Sequence, residues 1–304
     1  MTMNIANAHR QTKTHAYWDD LVGGTTSQYK ERIAEALIRK HLKIPCHKLL
    51  DVGCGTGETI LKYADMFPSS TLTFLDYDVK VMERMKQKLT GKNIRWEVAD
   101  IFHLKDWQEK FDLVFFMDML HEIYSFYGRP KKDVQFPVEH SLGQNFVREA
   151  VSHVSRLVNH GGGIIITDNI LCEEDRSIEV FLKNREAGEA VKQFLKEYTT
   201  KKIPAQFESE DILKIHSRDF CILLTQYNKI KRKDLSRWNT ERFEIHQYMT
   251  LKEYKAMFDA LKFSMHAVVG TPASTQKEWE GDYKILKGLS HIPEKRVTLL
   301  AIKE

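Results

Sequence analysis

The stretch that decides the fold is Leu49-Leu50-Asp51-Val52-Gly53-Cys54-Gly55-Thr56-Gly57-Glu58. An apolar run leads into three glycines at alternate positions, which predicts a strand, a tight turn and then a helix. Glycine lets the backbone turn sharply and approach a ligand closely, because it has no Cβ. The dinucleotide-binding pattern G-x-G-x-x-G would have its last glycine where this chain has Glu58. A negative charge there opposes a phosphate, so the turn favours a ligand without one.

Acidic residues end the next three apolar runs of the chain. Asp76 follows the first of these runs, 19 positions after Gly57, and Asp100 and Asp118 follow the other two. An acid at about that distance, at the tip of the second strand, can reach ribose hydroxyls. In an open α/β sheet, ligands bind at the carboxyl ends of the strands. The pattern therefore predicts a parallel, doubly wound sheet with a ligand at that edge.

Taken together, these motifs resemble those of the class I S-adenosylmethionine-dependent methyltransferases, over residues 48–171 and again over 250–303. The resemblance implies S-adenosyl-L-methionine as the cofactor, with the glycine turn along its methionine moiety. It also implies that Asp76 holds the ribose and that Asp100 and Ile101 flank the adenine. Residues 111–123 resemble the fourth-strand motif of the small-molecule branch. The implied cofactor residues are Asp51, Gly53, Cys54, Gly55, Gly57, Asp76, Tyr77, Asp100, Ile101 and Asp118.

The predicted architecture is a seven-stranded, mostly parallel Rossmann-like sheet with two additions. An N-terminal helical cap covers residues 1–45, the cofactor-binding core covers 46–170 and resumes at 250–304, and an insertion covers 171–249. An insertion of that length needs structure of its own. Apolar spacing predicts that it is mainly helical, with one long helix over 177–198 and another after Ser209. It would act as a lid over the acceptor, or as a dimer contact.

Methyl transfer is an in-line displacement, and an oxygen acceptor must also lose a proton. His121 follows the predicted fourth strand and is the candidate base, with Glu122 or Asp118 to orient it. The alternative is that His121 only packs beneath the adenosine. The candidate substrate contacts are Tyr17, Trp18, Tyr124, Tyr127 and His140.

A second interpretation involves a divalent cation. Asp118, Asp168 and Asn169 resemble the ligands of catechol-type O-methyltransferases, in which hard oxygen ligands suit Mg²⁺. The 13 histidines show no H-E-x-x-H spacing, and the four cysteines form no C-x-x-C pair. The leading prediction therefore includes no metal.

Bulk properties limit the possible partners. A formal net charge of +4 on 304 residues gives no support for a nucleic-acid partner, and no run of 18 apolar residues indicates a membrane span. Scattered cysteines and the lack of an apolar leader favour the cytoplasm. We expect methylation of a small molecule at O, N or C, with a homodimer as one possible state. A regulatory subunit or a cyclase that binds the cofactor without methylating is the alternative.

Overall fold

The fold was analysed in a computed structural model that describes residues 25–55, 57, 61, 63, 65–89 and 93–304. The strands within these residues are β1 (Lys48–Val52), β2 (Thr71–Asp76), β3 (Ile94–Val98), β4 (Phe111–Met117), β5 (Val158–Asn169), β6 (Ser177–Leu182), β7 (Ala205–Phe207), β8 (Ile212–His216), β9 (Phe263–Gly270), β10 (Tyr283–Lys287) and β11 (Arg296–Lys303). The helices are α1 (Thr25–His41), α2 (Val79–Lys88), α3 (Leu120–Tyr127), α4 (His140–Ser155), α5 (Arg185–Glu197), α6 (Ser217–Lys231), α7 (Leu235–Glu241), α8 (Leu251–Ala260) and α9 (Ala273–Asp282). Short 3-10 helices cover Ile101–Asp106 and Pro130–Lys132.

Seven of the strands form one sheet in the order β3-β2-β1-β4-β5-β11-β9. The first five strands of this order are parallel to one another, and β11 runs antiparallel to both of its neighbours. The strand order reverses between β1 and β4, where an α/β sheet opens a crevice for ligands. The predicted seven-stranded, mostly parallel sheet is confirmed.

Buried side chains cover both faces of this sheet. In β4, Val114 and Phe116 face one apolar core, and Leu113 and Phe115 face the other. Strands that are buried on both faces have continuous runs of apolar residues in their sequences, which is typical of parallel sheets. Within the described residues, no helix has the length and apolar character that crossing a membrane requires.

The insertion is only partly as predicted. Helices α5, α6 and α7 lie within it, but β6, β7 and β8 do too. Together with β10 they form a second, antiparallel sheet in the order β10-β6-β8-β7. The prediction of one long helix over 177–198 was wrong, because Ser177–Leu182 is a strand and the helix begins only at Arg185. The helix after Ser209 was also wrong, because Ile212–His216 is a strand.

Two helices of the core begin at residues whose side chains cap them. Asp78 accepts from the backbone N–H of Lys80 at 2.9 Å and caps α2. Thr250 begins α8 with a capping box, in which its side chain and that of Glu253 each accept from the other's backbone N–H. The core therefore resumes after the insertion at the expected residue.

Candidate functional site

The glycine turn after β1 adopts backbone angles that favour glycine. Gly53, Gly55 and Gly57 have φ values of +69°, +52° and +66°. The backbone N–H groups of Gly53 and Cys54 donate to the carbonyl of Leu75, at 2.8 and 3.2 Å. These bonds fix the turn against the end of β2, as a ligand-binding loop requires.

Two buried carboxylates lie beside this turn. The Asp76 carboxylate accepts from the backbone N–H groups of Asp78 at 2.9 Å and Gly55 at 3.4 Å. Burial raises the pKa of Asp51 to about 7, and the charge of Asp76 adds to the effect. A ligand that brings an ammonium group and hydroxyl donors would stabilise these carboxylates, so the residues fit S-adenosylmethionine.

The predicted adenine-side residues follow β3. Asp100 caps the 3-10 helix by accepting from the backbone N–H of Phe102 at 3.0 Å, and Ile101 is buried. The hydroxyl of Tyr127 donates to the other Asp100 oxygen at 2.9 Å. Tyr127, predicted as a substrate contact, is thus bonded to a residue that is predicted to flank the adenine. Burial, followed by the charge of Glu122, raises the pKa of Tyr77 well above its ordinary value.

Asp118 is held by two cations. Its carboxylate forms ion pairs with Lys30 of α1 and with Arg296 at the start of β11. Burial alone would raise the pKa of Asp118, but Arg296 and Lys30 outweigh it and hold the pKa well below its usual range. Asp118 therefore joins α1 and β11 to the end of β4.

His121 lies in a buried polar cluster. Its backbone N–H and its Nδ1 contact the two oxygens of Asp168, at 3.1 and 2.9 Å. Asp168 thus orients His121, the role that the sequence assigns to Glu122 or Asp118. The hydroxyl of Tyr248 donates to the same Asp168 carboxylate at 3.1 Å. Asp118 and Asp168, two of the suggested cation ligands, are both engaged by protein groups.

The far side of His121 faces the insertion. Its Nε2 lies 3.6 Å from the Glu244 carboxylate, and its ring stacks on that of His246 with centroids 4.3 Å apart. Burial lowers the pKa of His121, but Asp168 and Glu244 outweigh burial and raise it well above its ordinary value. Sequence reasoning missed Glu244, His246 and Tyr248. One signal was present, because Glu244 and His246 are two residues apart and would share a face of an extended segment.

The other predicted substrate contacts, Tyr124 and His140, bond to each other within the core. Tyr124 lies in α3, and its hydroxyl bonds to His140 Nδ1 at 2.7 Å. Arg129 is buried and holds the insertion, because it donates to the carbonyl of Phe136 and to that of Phe243 in the insertion. Three further predicted residues, Tyr17, Trp18 and Glu58, lie outside the described residues.

Comparison with known proteins identifies a methyltransferase domain in this part of the chain. Residues 49–127 match the family model described as a methyltransferase domain, a range that extends from β1 to α3 and includes all ten predicted cofactor residues. The chain carries a class I S-adenosylmethionine-dependent methyltransferase domain. Within that methyltransferase domain lie the glycine turn, Asp76, Asp100 and His121.

Curated relatives match only part of this chain. A malonyl-[acyl-carrier protein] O-methyltransferase of Anoxybacillus flavithermus is 33% identical over 85 residues, which cover 28% of this chain and 32% of that protein. The ribosomal RNA small subunit methyltransferase C of Buchnera aphidicola is 28% identical over 129 residues, 41% of this chain and 35% of that protein. The chain thus spans about a third of the length of the curated relatives it matches.

Among solved structures, the plantazolicin methyltransferase BpumL in complex with SAH is similar in fold. The two chains superpose with a TM-score of 0.50 at 11% sequence identity, over 95% of this chain and 88% of that one. At this identity the similarity shows a common fold.

Proposed function

We propose that this chain transfers a methyl group from S-adenosylmethionine to an O, N or C atom of a small molecule. The cofactor would bind along the glycine turn, with Asp51 near its methionine moiety, Asp76 at the ribose, and Asp100 and Ile101 at the adenine. When bound, it supplies a methyl group that a nucleophile attacks in line with the departing sulfur. The protein's task is to align the nucleophile, exclude water and accept a proton where one is lost.

One observation carries the small-molecule part of the proposal. The last residues of the insertion, Glu244 to Tyr248, lie over the carboxyl ends of β4 and β5 and contact His121 and Asp168. Side chains from the core and from the insertion are buried together there. Such an enclosed site suits a compact acceptor better than a folded RNA. We therefore propose residues 171–249 as the acceptor-binding part of the chain.

His121 remains the candidate for handling the acceptor's proton. Asp168 accepts from Nδ1, so Nε2 is the nitrogen that faces the insertion. An orienting carboxylate of this kind fixes one tautomer of the imidazole. Removal of Asp168 should therefore lower turnover by changing the orientation of His121, with little effect on cofactor affinity.

The test uses cofactor labelled on its methyl group. Purified full-length protein is incubated with a metabolite fraction and, separately, with an RNA fraction, and the labelled product is counted. We expect label in the metabolite fraction and no label with Gly55→Val, because a branched side chain in the turn blocks the cofactor. Label in RNA alone would refute the small-molecule acceptor. Calorimetric binding of the cofactor with no transfer to either fraction would favour the regulatory or cyclase alternative.

A further inference from the structure

The buried cluster around His121 has the composition of a metal centre. Among the described residues, His121, Glu244 and His246 form the one group of side chains whose potential ligand atoms all lie within 4.8 Å of one another. The Nε2 atoms of His121 and His246 each lie 3.6 Å from the same Glu244 oxygen. The two rings are stacked at 27° to each other, so they present their edges side by side. All three side chains are buried.

These distances suit a first-row divalent cation. Zinc binds imidazole nitrogen and carboxylate oxygen at about 2.0–2.2 Å, so adjacent ligand atoms of a tetrahedral site lie roughly 3.4 Å apart. The observed 3.6 Å separations are close to that value. Two histidines and one carboxylate form the ligand set of several catalytic zinc sites and of non-haem iron(II) sites. Mg²⁺ is a poor candidate, because it prefers oxygen ligands.

The residues behind the cluster strengthen this assignment. A metal-binding histidine usually donates its other ring N–H to a carboxylate, which fixes the tautomer and the ring orientation. His121 has such a partner, because Nδ1 lies 2.9 Å from Asp168. Tyr248 in turn donates to Asp168 at 3.1 Å and accepts from Tyr254 at 2.6 Å.

His246 supplies a second, independent observation. The residue is only 8% exposed, and its Nε2 faces two carboxylates, that of Glu241 at 3.4 Å and that of Glu244 at 3.6 Å, without the geometry of a hydrogen bond to either. A buried polar atom without a hydrogen bond costs free energy, and metal coordination removes that cost. The neighbouring Glu241 is held by an ion pair with Lys229, so it is not counted among the ligands.

We propose that His121, Glu244 and His246 bind one divalent transition-metal ion, zinc or iron(II), at the junction of the methyltransferase domain and the insertion. Three protein ligands leave coordination positions open, which is the pattern of catalytic rather than structural sites. If the proposed function holds, the acceptor carries an oxygen donor, such as a hydroxyl or an enol, that occupies an open position. Nε2 of His121 would then be a metal ligand, which excludes its role as proton acceptor, so metal binding decides between the two roles of His121.

The experiment measures metal binding in the full-length protein without cofactor or acceptor. After removal of metal with a chelator, the protein is titrated with Zn²⁺ by calorimetry and with Co²⁺ by visible absorption. We expect one saturable site per chain and a Co²⁺ ligand-field spectrum of a nitrogen and oxygen ligand set. His246→Ala and Glu244→Gln should each weaken binding by more than about 100-fold, and Asp168→Asn by about 10- to 100-fold.

Controls separate metal binding from folding. His216→Ala removes an exposed histidine of β8 and should bind metal like the unchanged protein. Each variant is also checked for a cooperative thermal transition and for calorimetric binding of S-adenosylhomocysteine. The proposal is overturned if the folded protein binds neither metal, or if folded His246→Ala and Glu244→Gln bind it as tightly as His216→Ala. The cluster would then be a buried ion-pair network, and the proposed methyl transfer would still stand or fall by its own test.

Discussion

Substitution of Gly57 by alanine tests the glycine turn most directly. At φ +66° an L-residue costs about 1–2 kcal/mol. A Cβ on Gly57 would also lie 1.8 Å from Cε of Met85 and 3.1 Å from a ring carbon of Phe74. Overpacking typically costs about 1–3 kcal/mol, and the lower end applies here because Cε is the free end of a flexible side chain. The two costs together predict that Gly57→Ala destabilises the protein by about 2–3 kcal/mol.

Thermal unfolding measures this loss. A protein of this size loses roughly 2 °C in melting temperature per kcal/mol, so we expect a decrease of roughly 4–6 °C. Cofactor affinity, measured by calorimetry, should fall at least about tenfold. A loss of about 1.4 kcal/mol in binding free energy corresponds to a tenfold weaker affinity, and a small shift of the turn is enough to cause it. Gly281→Ala is the matched control, since a Cβ there meets nothing within 4 Å.

A double variant separates the two causes. Met85→Ala removes the side chain that a Cβ at position 57 would meet, but it leaves the backbone angle unchanged. We therefore expect Gly57→Ala combined with Met85→Ala to cost less than the sum of the two single variants. An additive double variant, or a Gly57→Ala protein as stable as Gly281→Ala, would refute the packing of the turn described above.

Three further predictions concern stability. Because the pKa of Asp51 is raised in the folded protein, the protonated form of Asp51 favours folding at low pH. This stabilisation, up to about 4 kcal/mol, is lost as the pH rises from about 4 to about 7. Urea denaturation of Asp51→Asn should show a flatter pH dependence than the unchanged protein, and parallel profiles would contradict the raised pKa. Thr250→Ala removes half of the capping box of α8 and should cost about 1 kcal/mol in urea denaturation, whereas exposed Ser274→Ala should cost far less. Arg129→Leu leaves buried carbonyl groups without a hydrogen bond and should lower the free energy of unfolding by at least about 3 kcal/mol in the same assay. The control Arg185→Leu changes an exposed arginine and should lower it little. Equal losses in the two variants would show that Arg129 does not hold the insertion.

The fold of the core could be predicted from the sequence because the sequence signals of its strands, turns and helix starts are local. The glycine turn, the apolar strands and the acids at their ends each lie within a few residues, and parallel pairing brings the strand ends to one edge. The helix starts at Asp78 and Thr250 were likewise readable, since capping depends on residues within one turn.

The insertion was harder to predict because its apolar residues fit both the alternation of a strand and the spacing of a helix. Ile178, Val180 and Leu182 alternate in burial as a strand requires, yet the apolar residues of this stretch also fit a helical spacing. Asn184, which accepts from the N–H of Ala187 and caps α5, marked where the helix begins.

The contacts within the polar cluster around His121 could not be predicted from the sequence, for a different reason. His121 and Glu244 are 123 positions apart, and their contact depends on how the insertion returns over β4 and β5. No local spacing encodes such a meeting. The partner of His121 was misjudged for the same reason, because Asp168 belongs to the neighbouring strand rather than to the same segment.

The position of Glu244 to Tyr248 has a consequence for redesign. These residues directly precede the capping box at Thr250, and the segment that faces His121 is bonded both to the core, through Tyr248, and to the rest of the insertion, because the Glu244 carbonyl accepts from Tyr198 and Gln226. A chimera that exchanged only the chain between β5 and α7 would break the bonds to Tyr198 and Gln226, so the whole insertion has to be exchanged as one unit. If the insertion binds the acceptor as proposed, the acceptor preference would be transferred with it, and the cofactor-binding half of the chain would stay unchanged.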